Sequence, residues 1–207
     1  MPLRDRTLGA MPTGPFPADL TLASGPVTLR PLALDDVPRL MDLANATPEA
    51  FANTFTPRTA DQAAAYFGKA FAERADGVAF PFAVVRDDGD GPRVVGTTRL
   101  QEYDGHHARC AIGYTWYAPV HHRDGTNRRC KVLLLDHVFD VLGIRRVQFT
   151  IDAGNAASIR SVERLGAVHE GTLRRHRLAD DGTVRDSVVY AILVDEWRRT
   201  RAALAID

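Results

Sequence analysis

A turn between a predicted strand and a predicted long helix constrains this chain more than any other segment. The strand ends at Pro119, the turn carries basic side chains and Gly125, and the helical run 128–142 follows. The first backbone N–H groups of a helix have no partner inside the helix, and the helix dipole favours negative charge at that end. The turn is therefore predicted to bind a phosphate group.

The helix after this turn is predicted from apolar residues that recur at helical spacing, and from Gly143, which supplies the expected stop. The apolar residues are Cys130, Leu133, Leu134, Val138, Val141 and Leu142. Between His121 and Lys131 there are four Arg or Lys residues and one acid, Asp124, although the whole chain has a formal net charge of zero. This local excess fits a small anionic ligand better than a nucleic acid.

Length and composition predict one domain with a substantial core, since the chain has 207 residues, of which 45% are hydrophobic. The two cysteines, Cys110 and Cys130, lie in a predicted strand and on the apolar side of a predicted helix, so both are expected in the core. No stretch has the length and apolar character of a membrane span or a secretory signal. We expect a cytoplasmic protein that binds neither membrane nor nucleic acid.

Residues 1–24 contain prolines and glycines without sustained periodicity, which predicts an N-terminal arm that is laid on the surface or partly disordered. Residues 25–207 are predicted to form the domain, with the element order β-α-α-β-β-β-α-β-α-β-β. The second helix has a capping-box pattern, Thr59 with Gln62. Strands 79–86, 94–103 and 109–118 are predicted to form an antiparallel meander.

Ordered motifs run from about residue 27 to Trp197 and support one family. They are 95–99, 112–116, Asn127 with 131–139, 155–158, 165–167 with 170–174, and Asp181-Gly182 with Arg185, Asp186 and Tyr190. Together with the element order they resemble the GNAT superfamily of acetyl-CoA-dependent N-acetyltransferases. The local motifs are similar to its Rim-type branch, the RimJ/RimL-like ribosomal-protein N-terminal acetyltransferases.

The resemblance implies an α+β fold with three layers. Its twisted mixed sheet of about seven mostly antiparallel strands would splay open between the fourth and fifth strands, with helices on both faces. The pantetheine arm of acetyl-CoA would lie in that split, and the pyrophosphate would lie on the N–H groups of residues 122–127. The predicted cofactor-binding residues are Trp116, Tyr117, His122, Arg123, Asp124, Gly125, Thr126, Asn127, Asn155 and Ser158.

The chain departs from the superfamily pattern at four positions. His122 stands where arginine or glutamine is usual, and Asn127 stands where a small residue is usual. Val162 occupies the position of a tyrosine that suits protonation of the leaving thiolate. Ala111 occupies the position of an acid often found on the fourth strand.

Acetyl transfer to an amine needs a neutral nucleophile, a stabilised oxyanion and a proton for the leaving thiolate. Direct attack by the amine is predicted, because neither cysteine lies in a Cys/His constellation. Ser158, in the first turn of a helix capped by Asn155, is either the residue beside the thiol or only part of the helix cap. His176 is either the catalytic base or a surface histidine, and an imidazole is mostly neutral at pH 7.

The acceptor is predicted to be a protein or peptide N-terminal α-amine, such as that of a ribosomal protein. Deprotonation at pH 7 costs about 1.4 kcal/mol for an α-amine and about 4.6 kcal/mol for a lysine, so a chain without an acid at Ala111 suits the α-amine. The alternatives are a small-molecule amine (polyamine, antibiotic or metabolite) and a catalytically silent acyl-CoA sensor. In relatives the segment 45–58 shapes the acceptor pocket.

No metal is predicted, because His121 and His122 have no third ligand at suitable spacing. A homodimer is compatible with the size of the chain.

Overall fold

The strand Phe80–Arg86, in the interior of the sheet, carries buried side chains on both faces, so the sheet must be covered on both sides. In the computed structural model, which describes residues 16–179 and 182–204, Phe80, Phe82 and Val84 belong to one core. Ala83, between them, belongs to a second core on the opposite face. This double burial requires a helical layer on each side of the sheet.

Within the described residues, eight strands form one sheet in the order β1-β2-β3-β4-β5-β6-β8-β7. Their bounds are β1 Leu22–Ser24, β2 Val27–Pro31, β3 Phe80–Arg86, β4 Arg93–Asp104, β5 Arg109–Tyr117, β6 Arg146–Asp152, β7 Val168–Leu178 and β8 Val184–Leu193. All neighbouring pairs are antiparallel except β5 and β6, which are parallel. The predicted α+β fold with a mixed, mostly antiparallel sheet and the predicted meander are confirmed.

In the part of the chain that the structure describes, five α-helices cover the two faces of the sheet. They are α1 Val37–Ala46, α2 Ala60–Ala75, α3 Thr126–Asp136, α4 Ala156–Glu163 and α5 Val194–Arg201. Helices α1 and α2 pack over β3 and β4 with the second core, whereas α3, α4 and α5 cover the other face with the larger core. The predicted three layers are therefore present.

The sheet has one strand more than the seven of the predicted element order, because β1 lies inside the segment predicted as an arm. β1 pairs with β2 through a two-residue turn that begins with Gly25, whose φ of +54° is a conformation that favours glycine. Ahead of it, Phe16 is buried, with its ring centroid 5.4 Å from those of Phe80 and Tyr103. A three-residue edge strand has no periodicity to detect, so only its pairing reveals it. Residues 1–15 of the predicted arm lie outside the described residues.

The predicted helix caps of α2 and α4 are confirmed. The Thr59 hydroxyl accepts the Gln62 N–H at 3.2 Å, and the Gln62 side chain accepts the Thr59 N–H at 3.3 Å. The Asn155 side chain accepts the Ser158 N–H at 3.0 Å. Each cap satisfies donors that a helix start leaves without a partner.

The long helix predicted for 127–142 changes character near its end. Its α-helical part ends at Asp136, and a π-helical turn, His137–Val141, continues it. At the end of this turn the Leu142 N–H bonds to the His137 carbonyl at 3.1 Å, a spacing of five residues.

The two cysteines, Cys110 and Cys130, are both buried, as predicted, and both are free.

The parallel strands β5 and β6 pair at only three positions before they separate. The pairs are Arg109 with Arg146, Cys110 with Val147, and Ala111 with Gln148, although β5 continues to Tyr117 and β6 to Asp152. A bulge in β5 accompanies the separation, since its register with β4 shifts opposite Thr98 and Tyr114 has a φ of +51°. The predicted split is confirmed, and with β1 counted it lies between the fifth and sixth strands.

Candidate functional site

The turn that leads from β5 into α3 has the backbone shape expected of an anion-binding loop. A 3-10 turn, Pro119–His121, follows β5, and Gly125 precedes α3 with a φ of +92°. Arg123 also has a positive φ, +69°. Left-handed residues of this kind turn successive backbone N–H groups towards one concave side, at the positive end of the helix dipole.

Asp124 organises this turn from inside. Its Oδ1 accepts the Thr126 N–H at 2.9 Å, and its Oδ2 lies 3.0 Å from an Arg86 nitrogen and 2.9 Å from His121 Nδ1. Although burial opposes ionisation, the hydrogen bonds from Thr126 and His121 lower the pKa of the Asp124 carboxyl. The carboxylate is therefore ionised at neutral pH and fixes the turn.

Thr126, predicted to bind the cofactor, is completely buried in the turn. Its hydroxyl accepts a hydrogen bond from Arg86 at 2.6 Å, and its N–H is bonded to Asp124. Arg86 was missed by sequence reasoning, because it lies at the end of β3, far from the turn along the chain. Only the sheet order brings it behind the loop.

Tyr117 and His122 close the turn against the end of β5. His122 Nε2 lies 3.1 Å from the Tyr117 carbonyl oxygen, which can only accept, so the ring carries its proton on Nε2. The Tyr117 hydroxyl donates to Asn127 Oδ1 at 3.3 Å, and Asn127 Nδ2 donates to the Ser161 hydroxyl of α4 at 2.7 Å. Asn127 therefore ties β5, α3 and α4 together beside the split.

Trp116 and Tyr117 point to opposite faces of the sheet, as strand alternation requires. Trp116 lies in the core under α1 and α2, and its Nε1 donates to the Tyr66 hydroxyl at 3.2 Å. Tyr117 lies under α3. Both rings are buried, so the backbone edge of this strand, and not its aromatic rings, is available to a ligand.

The positive charge predicted around the turn divides into three roles. Arg128 and Arg129 hold α3 to the last 3-10 turn of the chain and to β1. Arg123 is exposed. Among the described residues the backbone N–H groups of Asn127 and Arg128 have no hydrogen-bond partner, so these two donors and Arg123 are open to an anion.

Lys131, counted with the basic turn in the sequence, is instead a core residue that is 5% exposed. Its Nζ lies 5.9 Å from the ring centroid of Phe149 on β6, and no ion pair joins it to a carboxylate within 16–179 and 182–204. Burial lowers the pKa of its amine from 10.5 to about 8, and neighbouring Cys130 opposes this only in part. Its place in an apolar run between Cys130 and Val132 is the signal that could have revealed its burial.

The start of α4 brings Asn155 and Ser158 to the split side of β6. While its Oδ1 caps the helix, Asn155 Nδ2 lies 3.2 Å from both the Asn53 carbonyl and the Thr54 hydroxyl. The segment after α1 is thereby held at this helix end. The cap uses the backbone N–H of Ser158. The Ser158 hydroxyl has no hydrogen bond to any described residue.

His176 lies on β7 and does not contact Ser158. It is exposed, and its Nδ1 lies 3.0 Å from the Ser187 hydroxyl on β8. Ser187 in turn pairs across the sheet with Asp152, the last residue of β6 before the turn into α4. His176 therefore lies at the same end of the sheet as the start of α4, two strands away from β6.

Two positions where the superfamily places functional side chains contribute only packing here. Val162 is fully buried in the larger core, and Ala111 is buried at the last paired position of β5 and β6. The described residues contain no group of three His, Cys, Asp or Glu side chains that could hold a metal ion. In the same part of the chain, each helix is too short or too polar to span a bilayer.

Comparison with known proteins identifies the domain. Residues 27–168 match the family described as Acetyltransferase (GNAT) domain. A curated relative from Bacillus subtilis (strain 168), described as the uncharacterized N-acetyltransferase YoaA, is 30% identical over 104 residues. These residues are 50% of this chain and 58% of the relative, so the match spans less than two thirds of that protein.

Solved structures share the whole architecture. A GCN5-related N-acetyltransferase from Brucella melitensis has a TM-score of 0.78 at 27% identity, covering 91% of this chain and 85% of its own. Mycobacterium smegmatis RimJ in complex with CoA-disulfide has a TM-score of 0.74 at 22% identity, covering 91% and 95%. Spermidine N-acetyltransferase from Vibrio cholerae, in complex with CoA and spermine, has a TM-score of 0.66 at 21% identity, covering 84% and 98%.

Replacing Gly125 tests the backbone conformation of the turn. A Cβ at Gly125 would meet no atom within 4 Å, so the cost of Gly125→Val comes from its φ of +92° alone. We expect Gly125→Val to lower the free energy of unfolding by about 1–3 kcal/mol, and Gly125→Asn to lower it less. The control is Gly68→Ala, in open space within α2, which should stabilise by about 0.5–1 kcal/mol. Equal unfolding midpoints for Gly125→Val and wild type in urea would contradict this geometry.

Replacing Lys131 tests the burial of its amine. Below about pH 8 the amine is protonated in both states, and its burial costs about 3 kcal/mol of stability. Between pH 8 and 10.5 the unfolded chain binds more protons than the native one, so stability rises with pH. We expect Lys131→Met to be more stable at pH 7 and to lose this rise, as measured by urea unfolding at several pH values. Lys69→Met, on the surface of α2, is the control that should keep the rise.

Proposed function

Because its residues 27–168 match this domain, the chain belongs to the GNAT acetyltransferase family, and we propose that it moves an acetyl group from acetyl-CoA to the N-terminal α-amine of a protein or peptide. The observation that carries the proposal is the split between β5 and β6 beside the start of α3. Three ladder pairs hold the strands together, and beyond them the edge of β5 is open. An extended ligand can add to such an edge as a strand would.

The residues around the split fit coenzyme A. The open N–H groups of Asn127 and Arg128, with the exposed Arg123, would hold the diphosphate at the start of α3. The Tyr117 carbonyl is already bonded to His122, so the pantetheine arm would pair with β5 residues before it. Acetyl-CoA, when bound, supplies the activated acetyl thioester.

Ser158 is the residue that we place beside the sulfur. Its hydroxyl is free of hydrogen bonds to described residues and lies in the first turn of α4, where the helix dipole favours negative charge. A hydroxyl there can donate a proton to the leaving thiolate. The amine attacks directly, since both cysteines are buried and burial raises the pKa of each thiol to about 12.

The acceptor side of the sheet is where segment 45–58 meets the ends of β6 and β8. Arg185 of β8 links segment 45–58 to β6, because one of its guanidinium nitrogens lies 3.2 Å from the Ala52 carbonyl and 3.5 Å from Asp152 Oδ2. His176 contacts the hydroxyl of Ser187, and Ser187 pairs across the sheet with Asp152. We assign His176 the role of the base that deprotonates the incoming ammonium.

Charge at this end of the sheet favours a peptide over a polyamine. Asp152 is paired with Arg185, so its charge is balanced within the chain, and one oxygen of Asp186 accepts the Arg175 N–H at 2.7 Å. Arg177 lies directly opposite Arg185 across the β7–β8 pair, which concentrates positive charge. RimJ and the spermidine enzyme both share the fold, so the fold does not select the acceptor, and this charge pattern is what supports the α-amine of a neutral or acidic peptide.

The Ser158→Ala variant separates the hydroxyl from the helix cap. Because Asn155 bonds the backbone N–H of Ser158, the cap survives the substitution and stability should change little. We expect kcat to fall by about 10²-fold while acetyl-CoA affinity is kept. The release of free thiol measures kcat, and calorimetry measures the affinity for acetyl-CoA. Asn155→Ala, which removes the cap and about 1 kcal/mol of stability, is the control. An unchanged kcat would remove Ser158 from the chemistry.

A panel of acceptors tests the proposed substrate. With acetyl-CoA present, thiol release should be seen with N-terminal peptides and be much slower with spermidine, aminoglycosides and peptides whose only amine is an internal lysine. Arg177→Glu should raise the rate on spermidine relative to peptides, whereas Arg198→Glu on exposed α5 should not. Faster turnover of spermidine by the wild type would contradict the peptide acceptor. Thermal stabilisation by acetyl-CoA without turnover of any acceptor would favour an acyl-CoA sensor.

A further inference from the structure

Lys131 is a lysine whose side chain the fold buries beside Phe149 without an ion pair to any carboxylate of the described residues. A lysine is almost never fully buried unless it is paired, yet Lys131 is 5% exposed and has no hydrogen bond or ion pair with any described residue. Burying an unpaired ammonium is unfavourable. Such a residue persists at a cost in stability, which points to a role that the packing alone does not supply.

The position of Lys131 on α3 directs it towards the split. Asn127 and Lys131 are four residues apart and share one side of the helix. Asn127 contacts Tyr117 on β5 and Ser161 on α4, and Lys131 Nζ lies near the ring of Phe149 on β6. The side of α3 that carries these two residues therefore spans the two strands that separate.

None of the elements packed around Lys131 supplies a counter-charge. On α3 its ionisable neighbour is Cys130, and burial raises the pKa of that thiol to about 12, so it is neutral. From β5, Tyr117 presents a phenol whose pKa burial raises well above its ordinary value. Phe149 on β6 and Ser161 on α4 carry no charge. An acceptor for the ammonium must come from outside the chain.

We propose that Lys131 binds the cofactor, with its ammonium donating a hydrogen bond to an amide carbonyl of the pantetheine arm in the split. This rests on the proposed use of acetyl-CoA. Lys131 lies four residues, about 6 Å, further along α3 than Asn127, and the diphosphate would bind at the Asn127 end of this helix. The pantetheine arm, and not the diphosphate, is therefore the part of acetyl-CoA that Lys131 can contact.

Binding and ionisation of Lys131 are then linked. Since only the ammonium can donate in this way at full strength, acetyl-CoA binding favours the charged form and raises the pKa of Lys131 above about 8. Conversely, acetyl-CoA affinity falls as the pH rises past that value. Acetyl-CoA suits this test because it has no free thiol to titrate.

Calorimetry of acetyl-CoA binding to the whole chain, between about pH 6.5 and 9.5, measures this linkage. We expect Lys131→Met to weaken binding about tenfold or more at pH 7, as for a lost hydrogen bond to a charged group. The variant should also lose the fall in affinity above pH 8. Lys69→Met is the matched control, because Lys69 and Lys131 are the two lysines of the chain, and it should bind as the wild type does. Adenosine 3′,5′-bisphosphate and ADP, which lack the arm, should bind the wild type and Lys131→Met equally.

Nuclear magnetic resonance of lysine-labelled protein reads the same proton directly. Two side-chain signals are expected, and the one absent from Lys131→Met should titrate near pH 8 and move to a higher pKa when acetyl-CoA is added. Equal acetyl-CoA affinity of wild type and Lys131→Met at pH 7 would overturn the assignment to Lys131 alone. An equal loss of affinity for ADP would overturn the assignment to the pantetheine arm. A folded wild type that binds no acetyl-CoA would overturn both this inference and the proposed function.

Discussion

The separation of β5 from β6 is the constraint on which the rest of the molecule depends. Backbone N–H and C=O groups of a strand need partners, and the sheet supplies them between these strands at only three positions. The bulge at Tyr114 increases the local twist of β5 and carries its end away from β6. A sheet that was continuous here would be better satisfied by itself and would have no place for an extended ligand.

Side-chain hydrogen bonds connect the elements on the two sides of the split. Asn127 links the end of β5 to α4 across the split. Asp124 contacts Arg86, His121 and the Thr126 N–H within the turn. Because the carboxylate is bonded within the loop, the donors left open point outwards. The turn is thus preorganised for an anion, which reduces the ordering cost of binding.

Local signals predicted the backbone conformation around the candidate site where a residue acts on its neighbours in sequence. Gly125 adopts the left-handed conformation that the turn needs, and Asn155 caps α4. The same reasoning placed Lys131 among the surface cations and Thr126 among the ligand contacts, and both are buried. Burial depends on which elements pack over a residue, and a short stretch of sequence carries little information about that. The assignments of Ser158 and His176 stay predictions.

The sequence by itself determined the order of the strands and helices from β2 to β8, the caps of α2 and α4, and the motifs of the family, because each of these depends on residues a few positions apart. Tertiary structure alone decided that Leu22–Ser24 joins the sheet, that Arg86 stands behind the turn, and that β5 and β6 separate after Ala111. Each of these features needs contacts between residues distant along the chain. Such contacts form only when the whole sheet is assembled, which is also when Lys131 becomes buried near Phe149 of β6.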